Sequence, residues 1–195
     1  MGAPIRHLLV LVMALAGPAR GSVATKRQEA TEYKFTPGPG MPSLESLGLT
    51  VEQLFNSTWV DELFQDTPKN PAGQAGTLSR RLENNCEHDN APVEAIRACG
   101  AFLHILGNYP CEGQNSPVRL AEVTQGDYFA RVEGLSIQAG PTQSSCLHAG
   151  MAVYWVADNC VAGCDAPDAQ ECVAGGAAHA WGNDNFFLIV WGNYY

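Results

Sequence analysis

Seven cysteines (Cys86, Cys99, Cys111, Cys146, Cys160, Cys164 and Cys172), all downstream of residue 85, constrain this 195-residue chain more than any other feature. In a reducing compartment such density points to metal or redox chemistry; in an exported chain it points to a disulfide framework. The N-terminus decides between these. Arg6 and His7 precede an apolar run from Leu8 to Ala16, and a small-residue stretch ending Ser22-Val23-Ala24 follows Gly17-Pro18. That pattern reads as a cleaved signal peptide over residues 1–24. The run is far short of the ~20 apolar residues a spanning helix needs, and no later segment is longer. The expectation is a secreted, extracellular product without stable membrane insertion. Seven is odd. Three bridges and one leftover thiol allow seven times fifteen, or about 105, pairings, so the connectivity stays open.

The chain changes character at Arg80-Arg81. Residues 25–81 hold no cysteine, and they carry a Pro/Gly tract from Thr36 to Pro42 and a second loop-like stretch from Thr67 to Thr77. Between them, Leu47 to Phe64 has helical spacing, with Leu49, Val51, Leu54 and Phe55 apolar and Thr50 as a cap. Such a segment can fold against a partner but hardly makes a core alone. Two dibasic pairs, Lys26-Arg27 and Arg80-Arg81, bound it, and Leu78-Ser79-Arg80-Arg81 resembles a kexin-type processing site. We read 25–81 as a propeptide, leaving a mature domain over 82–195. The glycosylation sequon Asn56-Ser57-Thr58 falls inside the propeptide, so a mature domain that loses it carries no N-glycan.

From Leu82 onward the chain has thirteen Asp/Glu against Arg97, Arg119 and Arg131 and no lysine, a formal charge of 3 − 13 = −10. Such a surface repels phosphate backbones and anionic membranes, which are bound largely through Lys and Arg, so nucleic acid is excluded as a partner. The charge keeps a small exported protein dispersed; its sharper reading is an acidic face for a basic protein partner.

Asp89-Asn90-Ala91-Pro92 predicts a helix start, with Pro in the first turn. Val93, Ile96, Cys99, Phe102, Leu103 and Leu106 continue at helical spacing, and Gly107-Asn108 stops the helix. Val118–Thr124 and Tyr128–Ile137, parted by Gln125-Gly126-Asp127, predict a hairpin. Cys146 to Asn159 predicts a second helix on the stripe Leu147, Met151, Tyr154 and Trp155, although Gly150 costs it ~1 kcal/mol relative to Ala. Close packing against a neighbour would explain that glycine. Phe186 to Trp191, after the turn Gly182-Asn183-Asp184, predicts a strand buried on both faces or at a sheet centre. The order α-β-β-α-β suggests an α+β, two-layer sandwich with two helices on an antiparallel sheet, stapled by disulfides. Fourteen helical residues span ~21 Å, so Cys146 and Cys160 cannot pair with each other. A bridge within the Cys160, Cys164 and Cys172 group is expected to close the intervening loop.

The stretch from Cys146-Leu147-His148-Ala149 to Asn159-Cys160, then Gly175-Gly176-Ala177-Ala178 and Trp181-Gly182-Asn183-Asp184-Asn185-Phe186 running into a last strand, resembles small cysteine-rich secreted proteins of filamentous fungi. It is similar to the C-terminal pattern of smut killer toxins and related plant-pathogen effectors, at motif level over the last fifty residues.

Catalytic chemistry finds little footing. His104 and His148 fall on predicted helices beside cysteines, which raises a Cys–His nucleophilic pair. No cysteine-protease signature surrounds any cysteine, and exported cysteines are usually oxidised. Cys160, Cys164, Cys172 and His179 can be spelled as a zinc site, but in no usual spacing. Acidic pairs arise by chance at this density, and no phosphate loop or triad motif is present. The expectation is therefore no catalytic residue, no metal and no cofactor. The resemblance implies a secreted fungal effector, a monomeric virulence protein that binds and inhibits a host extracellular defence protein in the apoplast. A papain-like cysteine protease is the target class it brings. A killer-type or cell-death-inducing toxin is the alternative, and a small secreted hydrolase the second.

Overall fold

The hairpin is the simplest element to derive. β5 (Tyr128–Ser136) alternates buried and half-buried positions, β4 (Val118–Gln125) buries its middle from Leu120 to Val123, and Gly126 at φ 59 supplies the left-handed backbone of their two-residue turn. In the computed structural model, which describes residues 32–65, 84–86, 91–164 and 172–193, this hairpin lies within a five-stranded antiparallel sheet. β1 (Lys34–Pro37) pairs with β4, while β10 (Asn183–Asn193) pairs with β5 on one side and β9 (Gly176–Ala180) on the other. The order is thus β1-β4-β5-β10-β9. Two small sheets accompany it: β2 (Ala91–Pro92), β8 (Val173–Ala174) and β7 (Val161–Ala162), and β3 (Pro110–Gly113) with β6 (Thr142–Ser145).

Two helices bring the apolar mass. α3 (Val93–Ile105) buries Ala95, Ile96, Ala98, Cys99, Gly100, Ala101, Phe102 and Leu103, which is most of its circumference. A helix apolar all round must be covered all round. The sheet covers one side, α4 (Cys146–Asn159) another, and α1 (Val51–Leu54) with α2 (Ser57–Phe64) a third. Where α3 and α4 cross, Gly150 lies against backbone: a Cβ there would meet the Gly100 carbonyl oxygen and the His104 nitrogen at 2.6 Å each. Gly150 is the contact point its helix-weakening cost implied.

The α+β class, the antiparallel pairing and the disulfide stapling follow the sequence. The element count does not: the described residues hold four α-helices and ten strands, where two helices and one sheet are expected. Pro92 stands just before α3, not in its first turn, because Ala91 and Pro92 pair with β8; Asp89 and Asn90 lie outside the described residues. In α4 the stripe Leu147, Met151, Tyr154 and Trp155 is only half-buried. Cys146, Ala149, Gly150, Ala152, Val153, Val156 and Ala157 are buried instead, since small side chains let α4 approach its neighbours closely. β10 is an inner strand. Phe186, Leu188 and Val190 are fully buried on the helix side, whereas Ile189 and Trp191 on the far side are half-exposed.

The bridges are Cys86–Cys160, Cys111–Cys146 and Cys164–Cys172, and Cys99 is the buried free thiol. Cys146 and Cys160 therefore bolt the two ends of α4 to different partners, and the third bridge closes a loop of sequence separation 8. The described residues all belong to one compact unit, 31–195, and none of their helices is long and apolar enough to cross a membrane.

Segment 32–65 is part of this unit. Thr50 caps α1, as the sequence predicts, and Gln53 adds the reciprocal bond by accepting from the Thr50 amide. Phe35, Leu54, Val60 and Phe64 join the core.

Candidate interaction face and the fate of the sequence candidates

Strand alternation puts one set of side chains on the sheet face turned away from α3 and α4. From β5 these are Phe129, Arg131, Glu133 and Leu135; from β10, Phe187, Ile189 and Trp191. A β-bulge between Arg119 and Ala121 shifts the alternation, so Arg119 and Glu122 of β4 share that face. The register aligns them in rungs. Thr36, Glu122, Arg131 and Trp191 stand opposite one another across four strands, and Arg119, Glu133 and Ile189 form the adjacent rung. α1 and α2 pack on α3, not on this face.

The rungs are chemically linked. Arg131 donates from Nε to Glu122 Oε2 at 2.6 Å, and its guanidinium lies 5.3 Å from the Phe129 ring and 5.1 Å from the Trp191 ring. Those two rings meet edge to face at 5.0 Å. Trp191 Nε1 donates to Glu133 at 3.0 Å, and Arg119 pairs with Glu122 at 3.3 Å. Arg131, Glu122, Glu133 and Trp191 are each partnered, whereas Arg119 Nε is buried without a hydrogen bond, and the Arg131 guanidinium lies over the two rings. A pre-ordered patch of aromatic rings and arginine loses little side-chain entropy on binding, which is how interface anchors are built. Alternation at period two (Phe129, Arg131, Glu133 against Ala130, Val132, Gly134) was the signal for this face. Of the two readings of the last strand, the sheet-centre one holds, since β10 lies between β5 and β9, while its far face is only partly covered.

A second feature is a cleft of about 390 Å³ between α1–α2 and α3, lined by Leu54, Phe55, Val60, Val93, Glu94 and Arg97. Arg97 is already engaged there. It donates to Asp158 at 2.7 Å, lies 3.7 Å from Asp61, and sits 5.2 Å from the Tyr154 ring. Burial works against its charge, but the Asp158 bond and nearby anions outweigh that and raise its pKa. Burial, and then the 2.6 Å hydrogen bond to Asp61, push the Tyr154 phenol up.

The nucleophile reading loses its parts. Cys99 is fully buried, and burial followed by the Glu122 charge pushes its thiol far above the range in which a thiolate forms. The other six cysteines are oxidised, including Cys146 beside His148 and the three of the zinc spelling. His104 lies on α3 against the Phe64 ring at 4.6 Å, with its pKa lowered by burial. His148 is on α4, and His179 is on β9 edge-on to Phe187 at 4.8 Å. Three separate elements hold them. Among the described residues no cluster of metal-ligating side chains occurs. Asn56 is exposed at the start of α2, where its Oδ1 accepts from the Trp59 amide at 3.1 Å. His88, Lys26, Arg27, Arg80, Arg81 and the 1–24 leader lie outside the described residues.

Comparison of the chain with protein-family models, with curated proteins and with solved structures finds no match.

Proposed function

We propose that this chain is a secreted binding protein that acts through the ring-and-arginine face of its sheet, on an extracellular protein partner. One observation carries the reading: Arg131 is fixed between Phe129 and Trp191 and tied to Glu122 on a face that no described helix covers. Three disulfides support an oxidising, extracellular setting. The resemblance to fungal effectors adds the biological side of the proposal: a virulence protein of the host apoplast that blocks a defence enzyme, with a papain-like cysteine protease as the class to test first. We also keep residues 25–81 as a propeptide in this proposal, released from the 82–195 chain by cleavage after Arg81.

The test is capture from plant extracellular fluid by the oxidised, secreted protein, followed by a cysteine-protease assay on what is captured. Wild type and His148→Ala should retain one host protein saturably and inhibit it, and Trp191→Ala and Arg131→Ala should lose both with unchanged melting. Dye release from liposomes would speak for the toxin instead. Hydrolysis abolished by a single His or carboxylate change, with binding intact, would speak for the hydrolase.

A further inference from the structure

We propose that cleavage after Arg81 does not discard the N-terminal segment: residues 32–65 stay docked as a second, non-covalent chain, and the working protein is a two-chain assembly. The inference rests on the processing reading of Arg80-Arg81 and goes beyond it in what happens to the excised piece.

The docking surface is continuous. β1 pairs with the edge of β4 over four residues, Lys34 against Thr124 to Pro37 against Ala121, and Gly38 N–H extends the ladder to the Leu120 carbonyl at 2.8 Å. Gly38 runs so close to the Arg119–Leu120 backbone that any Cβ would collide with it. Tyr109 donates its hydroxyl to the Gly40 carbonyl at 2.8 Å. Two rings then enter the body: Phe35 packs on Phe102 at 4.8 Å, and Phe64 stacks on Tyr154 at 3.9 Å and tilts against His104 at 4.6 Å. Asp61 takes the Tyr154 hydroxyl and faces Arg97, and Tyr33 bonds Glu94.

This surface belongs to the fold's interior. Phe102 is fully buried, partly by Phe35, and α3 would lose its cover on one flank if the segment left. Departure would also expose the β4 edge, whose unpaired backbone groups invite aggregation. Nothing covalent would hold the piece, since the first cysteine is Cys86. The partner this edge and groove fit is therefore this chain's own strand followed by two short helices. One consequence is specific. The glycan acceptor Asn56 travels with the retained segment, so an unglycosylated 82–195 chain would be part of a glycosylated protein.

The experiment is to secrete the full chain with a C-terminal tag, capture it natively, and resolve it in denaturant without reductant. Two chains in equal amounts, both held on a mannose-binding lectin before denaturation and only the N-terminal one afterwards, are expected. Phe64→Ala should raise the dissociation constant of the segment about tenfold or more, since it removes an interface anchor. Recovery of the 82–195 chain alone, folded, overturns the assembly. Recovery of one uncut chain overturns the processing reading instead. Cutting that precursor with a kexin-type protease then decides the assembly by itself: co-elution upholds it, and loss of the segment overturns it.

Discussion

Gly150 and Gly100 face each other where α3 meets α4, and they predict unequal consequences for the same added methyl group. At an open helix position, Gly→Ala stabilises by about 1 kcal/mol. At Gly150 the new Cβ would meet backbone at 2.6 Å, and backbone cannot rotate away. Gly150→Ala should therefore destabilise by about 1–3 kcal/mol in denaturant unfolding. At Gly100 the nearest atom is a Val153 methyl at 3.3 Å, so Gly100→Ala should be clearly milder. Equal effects would show that the helices do not cross there. His104 gives a pH prediction. Burial holds its folded pKa below the usual 6.5, so the folded state resists a proton the unfolded chain accepts. Stability is full above pH 6.5 and falls as pH drops through that value toward the depressed one. His104→Leu should flatten the fall in melting temperature between about pH 7 and 5; an unchanged slope would place the linkage elsewhere. At this scale the sequence was legible where chemistry is local. The Thr50 cap, the Gly107 stop and Gly150 could all be read, because each acts on its own backbone. Disulfide pairing could not, because it depends on which distant cysteines the fold brings within reach.

Helix α4 shows what the bridges do at the scale of elements. Its ends are fixed by Cys111–Cys146 and Cys86–Cys160, the latter closing the longest loop, of separation 74. Cys160→Ser should lower stability by about 2–5 kcal/mol and slow secretion. Thiol titration should find no reactive thiol in the native protein and one after unfolding without reductant, from Cys99. Two or more thiols would break the framework. The α3 and α4 ranges and the β4–β5 hairpin were legible from apolar spacing and turn residues, although in α4 the buried face is not the stripe that the spacing marked. β9 was not: Gly176-Ala177-Ala178-His179-Ala180 has no β-branched residue and is a strand only because β10 and Asn85 flank it. Segment 32–65 read as loop and isolated helix because its apolar residues find their partners on α3 and α4, far along the chain.

For the whole molecule, charge and shape act on different steps of binding. The −9 formal charge should make association with a basic partner faster at low salt, whereas the ring-and-arginine face should govern how long the complex lasts. The face itself was half legible, since Phe129, Arg131 and Glu133 alternate visibly but their alignment with Trp191 and Glu122 needs the register. The most direct measurement is oxidative footprinting of the protein alone and saturated with its captured partner. Trp191 and Phe129 should be protected by the partner, while exposed Tyr109 and Val161 keep their labelling. Protection at Tyr109 or around the Arg97 cleft, with Trp191 and Phe129 labelled as before, would contradict the account.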